Sequence, residues 1–377
     1  MWWQSLHDAW WRLATQPQPR SLPDALACCC LDIGSLPYRA AVGLRNAAFD
    51  AGWAPTVRLA CPVVSVGNLT LGGTGKTACV ELIAGKLSAQ GHRVAVLSRG
   101  YGGPGGSYTL QWQDGRLLRE GATGAPPESL ADEPQLLARR LPGVPVLVGA
   151  RRDRTGQAAL DGFGATALIL DDGFQHRRLR RDCDILLVHA RMPFSGWAVL
   201  PRGPMREPIS AVRRADIIII TKADEALQTL GALTERLRGL NPRAVIITAS
   251  HAPASLTDAA GQAVPLGSLE GQRVGAVSSI GDPDGFEATL RRMHASVGWH
   301  LRWPDHHRYA AADVARIRAA LGDRVAAVVT TEKDWVRLRP RLQGQDLGVP
   351  VRVLGVKMAI LDGETELDAR LAGVRAR

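Results

Sequence analysis

At 377 residues, 46% of them apolar, the chain is long enough for two or three domains with ordinary cores. Its net charge of +10 rests almost wholly on arginine, since only five of its 46 basic residues are lysine, and it calls for an anionic partner: nucleotide phosphates, a phosphorylated substrate, an acidic membrane surface or nucleic acid. Cysteines 28, 29, 30, 61, 79 and 183 form no C-x-x-C pair and no metal-ligand spacing with histidine, which argues against a zinc module and for a reducing cytosol. The start has no signal-peptide pattern, and no apolar run is read as approaching the roughly 18–20 residues that span a bilayer.

Residues 1–55 read as an N-terminal amphipathic helical extension. At about 100° per residue, Trp2, Trp3, Leu6, Ala9, Trp10, Leu13 and Ala14 share one face, with Gln4, Ser5, Asp8, Arg12 and Thr15 opposite, and Pro17 and Pro19 end the segment. Tryptophan favours the headgroup region, so this face suits a helix lying in a membrane plane; a helix docked on the protein body has the same pattern. Cys28 to Cys30 suit small apolar packing in a helix. Pro37 to Ala51, with Arg39 and Arg45, predicts a second helix extending the same surface.

From residue 56 strands and helices alternate, the signature of a parallel α/β sheet. Strands are predicted at Val63–Val66, Arg93–Ser98, Val144–Val148, Ala167–Leu170, Asp184–Val188, Ile217–Thr221, Ala244–Thr248, Val274–Ser278, Ala326–Thr330 and Val351–Val356. Helices are predicted at Ala78 to Gln90 and near Pro134 to Arg140, and loops at Tyr101 to Gly106 and around Pro126-Pro127. A seam near 225–250 divides a P-loop core, 56–235, from a smaller C-terminal α/β domain, 236–377. The fold class is α/β, a P-loop NTPase-like parallel sheet with N-terminal membrane-associating helices and that second domain.

The first strand runs into Thr70, Leu71, Gly72, Gly73, Thr74, Gly75, Lys76 and Thr77, followed by a helix. Strand, glycine-rich turn, Gly-Lys-Thr and helix is the order of a phosphate-binding loop: glycines let backbone N–H groups converge on phosphate oxygens, and the helix N-terminus adds positive potential. Lys76 would reach the β- and γ-phosphates of ATP, and the Thr77 hydroxyl would sit on Mg²⁺. Thr70 departs from the pattern, which wants glycine there. Ala165 to Asp172 is an apolar strand ending in two carboxylates, Asp171 and Asp172, the acids a P-loop enzyme uses to hold Mg²⁺. The basic run after it, with His176 and Arg177, suits a substrate phosphate or a solvated turn. Asp132 and Glu133 lie in a loop before a helix, where an acid at a helix N-terminus facing the macrodipole is the favoured reading on spacing alone and a proton-accepting role is the rarer one. Leu200 to Pro208 is a proline-locked loop presenting Arg206 and Glu207. Asp305 with His306 suits an orienting pair for a base. Thr221 to Asp224 looks like the guanine-reading element of GTPases, so a membrane-associated P-loop GTPase or metallochaperone-type switch is the rival class. No nucleic-acid module is recognised.

Taken together these blocks resemble the tetraacyldisaccharide 4′-kinase family, the lipid A 4′-kinases of Gram-negative bacteria. The resemblance covers about 37 to 340 and rests on Ser65 to Thr77, Ser98-Arg-Gly-Tyr-Gly102, Ala131-Asp-Glu-Pro134 and Asp171-Asp-Gly-Phe-Gln-His176. It continues in Pro201-x-Gly-Pro-x-Arg-Glu-Pro208, Pro304-Asp-His306 and Thr330-Thr-Glu-Lys-Asp334. Thr70 then conforms, because the family loop reads T-x-G-G-T-G-K-T. The resemblance implies ATP-dependent phosphorylation of the 4′-hydroxyl of an acylated glucosamine disaccharide 1-phosphate, by a monomer held peripherally or monotopically at the cytoplasmic face of the inner membrane. It implies Asp132 as general base with His306 as its partner. Asp171, Asp172 and Glu207 become magnesium carboxylates beside Thr77, and Arg99, His176, Arg177 and Arg206 substrate-binding residues. The four-tryptophan start has no counterpart in the pattern.

Overall fold

The computed structural model describes residues 2–15, 21–100, 106–114, 116–121, 130–194, 198–343 and 345–375, the side chains of 2–8 and 323 excepted. The predicted loops at 101–105 and around Pro126-Pro127, and the faces of Trp2, Trp3 and Leu6, lie outside the described residues.

Two helices open the chain, α1 (Trp2–Thr15) and α2 (Leu22–Asp50). The α2 helix begins fifteen residues before Pro37, where the sequence had predicted its start, and continues through that proline. Its signal is local: Ser21 caps it by accepting from the Asp24 N–H at 3.3 Å, with a proline in the first turn. Among the described residues α2 is the one helix long and apolar enough to cross a membrane by length and composition, which corrects the expectation that no such run exists. Asp32 and Arg39 had disguised it by interrupting the apolar run. α1 is docked on the protein: Ala14 is buried, the Trp10 Nε1–H donates to Pro201 O at 2.7 Å, and Arg202 Nη1 donates to Leu13 O at 3.0 Å.

The strands are β1 (Val63–Asn68), β2 (Val94–Ser98), β3 (Tyr108–Gln113), β4 (Arg116–Glu120), β5 (Val146–Val148), β6 (Ala167–Asp171), β7 (Cys183–His189), β8 (Ile217–Thr221), β9 (Val245–Asp258), β10 (Ala263–Val264), β11 (Arg273–Ser278), β12 (Ser296–Arg302), β13 (Ala327–Thr331) and β14 (Val351–Asp362). They form one sheet in the order β12-β11-β13-β14-β9-β8-β7-β1-β6-β2-β5-β3-β4, with β10 on β9. From β5 to β9 every pairing is parallel, and β1, β6 and β8 are buried throughout, as strands covered on both faces must be. The long antiparallel pair β9–β14 joins this block to the C-terminal strands, so the two halves share one sheet.

All ten predicted strands are present. The sequence missed the β3–β4 hairpin, the short β10, and β12. β4 is an edge strand with charged Arg116, Arg119 and Glu120, so it has no apolar alternation to read. β12 carries Trp299 over Gly275 of β11, where a β-carbon would lie 2.1 Å from the indole. The remaining α-helices among the described residues are α3 (Lys76–Ala89), α4 (Asp132–Arg140), α5 (Arg152–Phe163), α6 (Leu227–Leu240), α7 (Pro283–Arg292), α8 (Ala311–Ala320), α9 (Glu332–Leu342) and α10 (Glu364–Ala372).

Gly67 in β1 touches the turn after β6, because a β-carbon there would lie 2.7 Å from Phe174 Cβ and 2.8 Å from its backbone nitrogen. Phe174 is fully buried and cannot yield. Gly67→Ala should therefore lower stability by about 1–3 kcal/mol in urea unfolding.

Candidate active site

The segment Thr70–Thr77 leaves β1 after Asn68 and enters α3 at Lys76, as its spacing predicts. Gly72 and Gly75 have φ of 106° and 86°, the region that favours glycine. The first-turn N–H groups of α3 lack helical acceptors and give this turn its affinity for anions. Lys76 Nζ lies 3.5 Å from Asn68 Oδ1 and 3.7 Å from Asp172 Oδ1, and Thr77 is half-buried beside it. A second segment braces the loop. The Leu71 N–H donates to Pro204 O at 2.8 Å, the Arg206 N–H donates to Leu69 O at 2.7 Å, and Thr70 bridges Met205. Trp11 of α1 lies over the loop's shoulder, 3.6 Å from where a β-carbon on Gly72 would be.

β6 runs parallel to β1 with Val66 opposite Asp171, and so delivers its terminal acids beside Lys76. Asp171 is buried and accepts from Ser98 Oγ at 3.1 Å. Burial, then the charges of Glu133 and Asp172, push its carboxyl up to about 7. Asp172 turns the chain at φ 49° and accepts from Arg206 Nη1 at 2.7 Å. Burial opposes its ionisation, but Lys76 and Arg206 outweigh burial and hold the carboxyl below the ordinary range. Its buried Oδ1 has no hydrogen-bond partner. Two adjacent carboxyl groups, one with an oxygen that lacks a hydrogen-bond partner, fit a hard divalent cation.

Asp132 is the first residue of α4, and His306 lies at φ 61° on the loop after β12. The fold brings them together from opposite halves, with His306 Nδ1 3.9 Å from Asp132 Oδ2. Glu133 Oε1 is 4.0 Å from His306 Nε2 and 3.3 Å from Lys333 Nζ. Burial opposes its ionisation; Lys333, Lys76 and His306 outweigh that and hold the carboxyl low. Lys76 and Asp172 both bear on Glu133, which ties the acid pair to the phosphate loop.

The remaining predicted residues divide. His176 is neutral: burial, then Arg152 and Arg181, push its imidazole down to about 4, and Arg99, exposed at the end of β2, adds to this. Arg206 joins the Asp172 cluster. Arg177 turns away to α2, donating to Asn46 O at 3.0 Å and pairing with Asp50 at 2.5 Å. Glu207 is wholly buried with both oxygens engaged, by Arg214 at 2.8 and 3.1 Å, Asn46 Nδ2 at 2.8 Å and Arg45 at 3.4 Å. It bonds α2 to the bracing segment and has no oxygen to spare for a cation.

Three groups escaped the sequence reading. Arg152 is buried in α5 and donates to Asp171 O at 3.0 Å. His251 in β9 is half-buried against the phosphate loop, where a β-carbon on Gly75 would lie 2.2 Å from its buried, unpartnered Nε2. Lys333 and Arg337 on α9 face Asp132 and Glu133. The signal for Lys333 was present, since it is one of five lysines and stands within a recognised block. Lys222 of the GTPase-like element sits at φ 55°, buried and ion-paired with Asp282, the N-cap of α7.

A family model described as tetraacyldisaccharide-1-P 4′-kinase matches residues 27–375. The chain belongs to the tetraacyldisaccharide 4′-kinase family. It is 44% identical over 374 residues to a tetraacyldisaccharide 4′-kinase of Anaeromyxobacter dehalogenans strain 2CP-C, covering 97% of this chain and 94% of that one. It is 41% identical over 360 residues to the enzyme of that name from Syntrophus aciditrophicus, covering 93% of each. A crystal structure of Aquifex aeolicus LpxK in complex with ATP superposes with a TM-score of 0.67 at 28% identity, over 91% of this chain and 99% of that one. Membership of a kinase family sets aside the GTPase-switch alternative.

Two histidines here set an acid limit. Burial, then Lys222 and His189, push His251 down to about 3, and His176 is down at about 4. Unfolded imidazoles bind protons below about pH 6.5 while these stay neutral, so their contribution to stability is full above that pH and is lost as pH falls towards 3–4. His251→Gln should flatten the fall in unfolding free energy by about 1.4 kcal/mol per pH unit across that window, measured by urea titration at stepped pH.

Proposed function

We propose that this chain transfers the γ-phosphoryl group of ATP to the 4′-hydroxyl of an acylated glucosamine disaccharide 1-phosphate. The observation that carries the reading is the meeting of Asp132 and His306 beside the Lys76–Asp172 pair. A sugar hydroxyl is a very weak acid, so the reaction depends on alignment and charge neutralisation, with a carboxylate taking the proton as the phosphoryl group moves. The loop N–H groups and Lys76 hold the triphosphate, and Lys76 exchanges its partner Asp172 for phosphate oxygens. Asp132 takes the hydroxyl proton and His306 orients it. Arg99, His176 and Arg206 are assigned to the acceptor, and Arg177, which bonds α2, is assigned to structure. Thr77, Asp171 and Asp172 would hold Mg²⁺, and Glu207 is left out of that set; the cation would supply charge neutralisation at the β- and γ-phosphates.

The acceptor's acyl chains call for a lipid surface, and α2 supports that part of the reading. Leu22, Leu26, Ile33, Leu36 and Leu44 are all exposed and fall within about 40° of one line along the helix. The opposite face packs through Cys28, Ser35 and Val42. A helix with one apolar face in contact with protein and another in solvent suits a monomer lying on the inner membrane's cytoplasmic surface.

Lys76→Ala should abolish transfer of label from [γ-³²P]ATP to the acylated disaccharide while leaving the melting temperature near that of the parent; near-normal kcat would end the phosphate-loop assignment. Asp132→Asn should lower kcat about 10²- to 10⁴-fold with little change in KM. Replacing Leu26, Ile33 and Leu44 together by Asp should release the protein from sedimenting liposomes of anionic phospholipid, with activity on detergent-dispersed substrate retained.

A further inference from the structure

α9 presents two cations one turn apart, Lys333 and Arg337, and the scheme above gives neither a task. Lys333 Nζ is 3.3 Å from each of Glu133 Oε1, Asp305 Oδ1 and His306 Nε2. Burial works against its charge, but Glu133 and Asp305 outweigh burial and raise its pKa, so it is an ammonium. An ammonium has only donors, so its contact with Nε2 requires that nitrogen to accept. The imidazole proton is then on Nδ1, the nitrogen that faces Asp132 at 3.9 Å.

Arg337 addresses the other partner. Its Nε is 3.5 Å from Asp132 Oδ2 and its side chain is almost wholly buried. The guanidinium is held before it meets Asp132, donating to Asp334 Oδ1 at 3.0 Å and Ser279 O at 3.3 Å. Asp334 is itself immobile: it is fully buried and accepts from the Ser279 N–H and Oγ at 3.0 and 2.6 Å, Tyr309 OH at 3.1 Å and Thr331 Oγ1 at 2.7 Å.

We propose that Lys333 and Arg337 are positioning residues for the base: Lys333 selects the His306 tautomer that turns an N–H toward Asp132, and Arg337 holds the Asp132 carboxylate in front of it. The inference rests on the proposed roles of Asp132 and His306. It adds that the pair assembles only when α9 of the C-terminal half meets α4.

The test uses the full chain with ATP and acylated disaccharide in mixed micelles. Lys333→Met and Arg337→Met should each lower kcat about 10- to 100-fold with KM for ATP unchanged within about twofold, since misplacing a reacting group costs rate more than binding. In a His306→Ala background Lys333→Met should cost less than about threefold more, because its effect passes through the imidazole. Lys333→Arg, which keeps a donor at Nε2, should recover most of the rate. With ¹⁵N-labelled histidine, His306 should carry its proton on Nδ1 in the parent and shift toward Nε2 in Lys333→Met. A proton on Nε2 in the parent, or a full additive loss in the His306→Ala background, overturns the proposal. Should Lys333→Met fail to fold, the tautomer in the parent decides alone. Full activity of Asp132→Asn would overturn the base assignment and leave the tautomer result standing, so the two failures are distinguishable.

Discussion

The site is organised around one ion pair, Lys76 facing Asp172 at 3.7 Å. Its partners come from two strands whose parallel register sets Val66 opposite Asp171, so the cation of one loop and the acids of the next must meet. Isolated, each charge would be costly to bury. Together, and with Arg206 and Arg152 alongside, they form a preassembled set which, on the proposed function, a triphosphate would enter by exchange of partners. Asp171, raised to about 7 first by burial and then by Glu133 and Asp172, is the acid of this set whose ionisation its cations do not restore.

A second constraint acts across the sheet. The β9–β14 ribbon carries the C-terminal strands, and α9 returns from them to face α4. Arg140, the last residue of α4, bonds Glu332 of α9, Glu81 of α3 and Val356 O of the ribbon, and so ties the halves together. On the same side the backbone of Gly281 packs against Gly73 so closely that a β-carbon would lie 2.6 Å from the Gly73 nitrogen. The C-terminal half therefore contributes both a wall over the phosphate loop and the histidine beside Asp132.

Much of this was legible in the chain. Continuous apolar strands such as Ile217–Ile220 and the Gly-Lys-Thr turn announce themselves, because burial on both faces and phosphate chemistry each demand narrow residue choices. The meeting of Asp132 with His306 could be inferred only through resemblance, since spacing carries no information on which loops a sheet brings together. Glu207 and Arg177 enter as site residues through the resemblance, and in the structure both bond α2. That helix was misjudged because Asp32 and Arg39 interrupt its apolar run, and beyond that run Arg45 turns out to bond the protein. Edge strands β4 and β12 were invisible for a different reason: pairing on one side only leaves them free of the buried pattern that marks a central strand.

The route from α2 to the catalytic centre is short. Tyr38 OH donates to Arg206 O, Asn46 donates to Glu207, and the same few residues brace the phosphate loop and reach Asp172. No flexible tether intervenes between the apolar helix and the chemistry. On the proposed reading of α2 as the lipid-facing helix, an enzyme so built has no leash: it would work at a fixed height above the surface that receives that helix, and the depth at which a headgroup must stand to be reached would be set by the protein's own bonds.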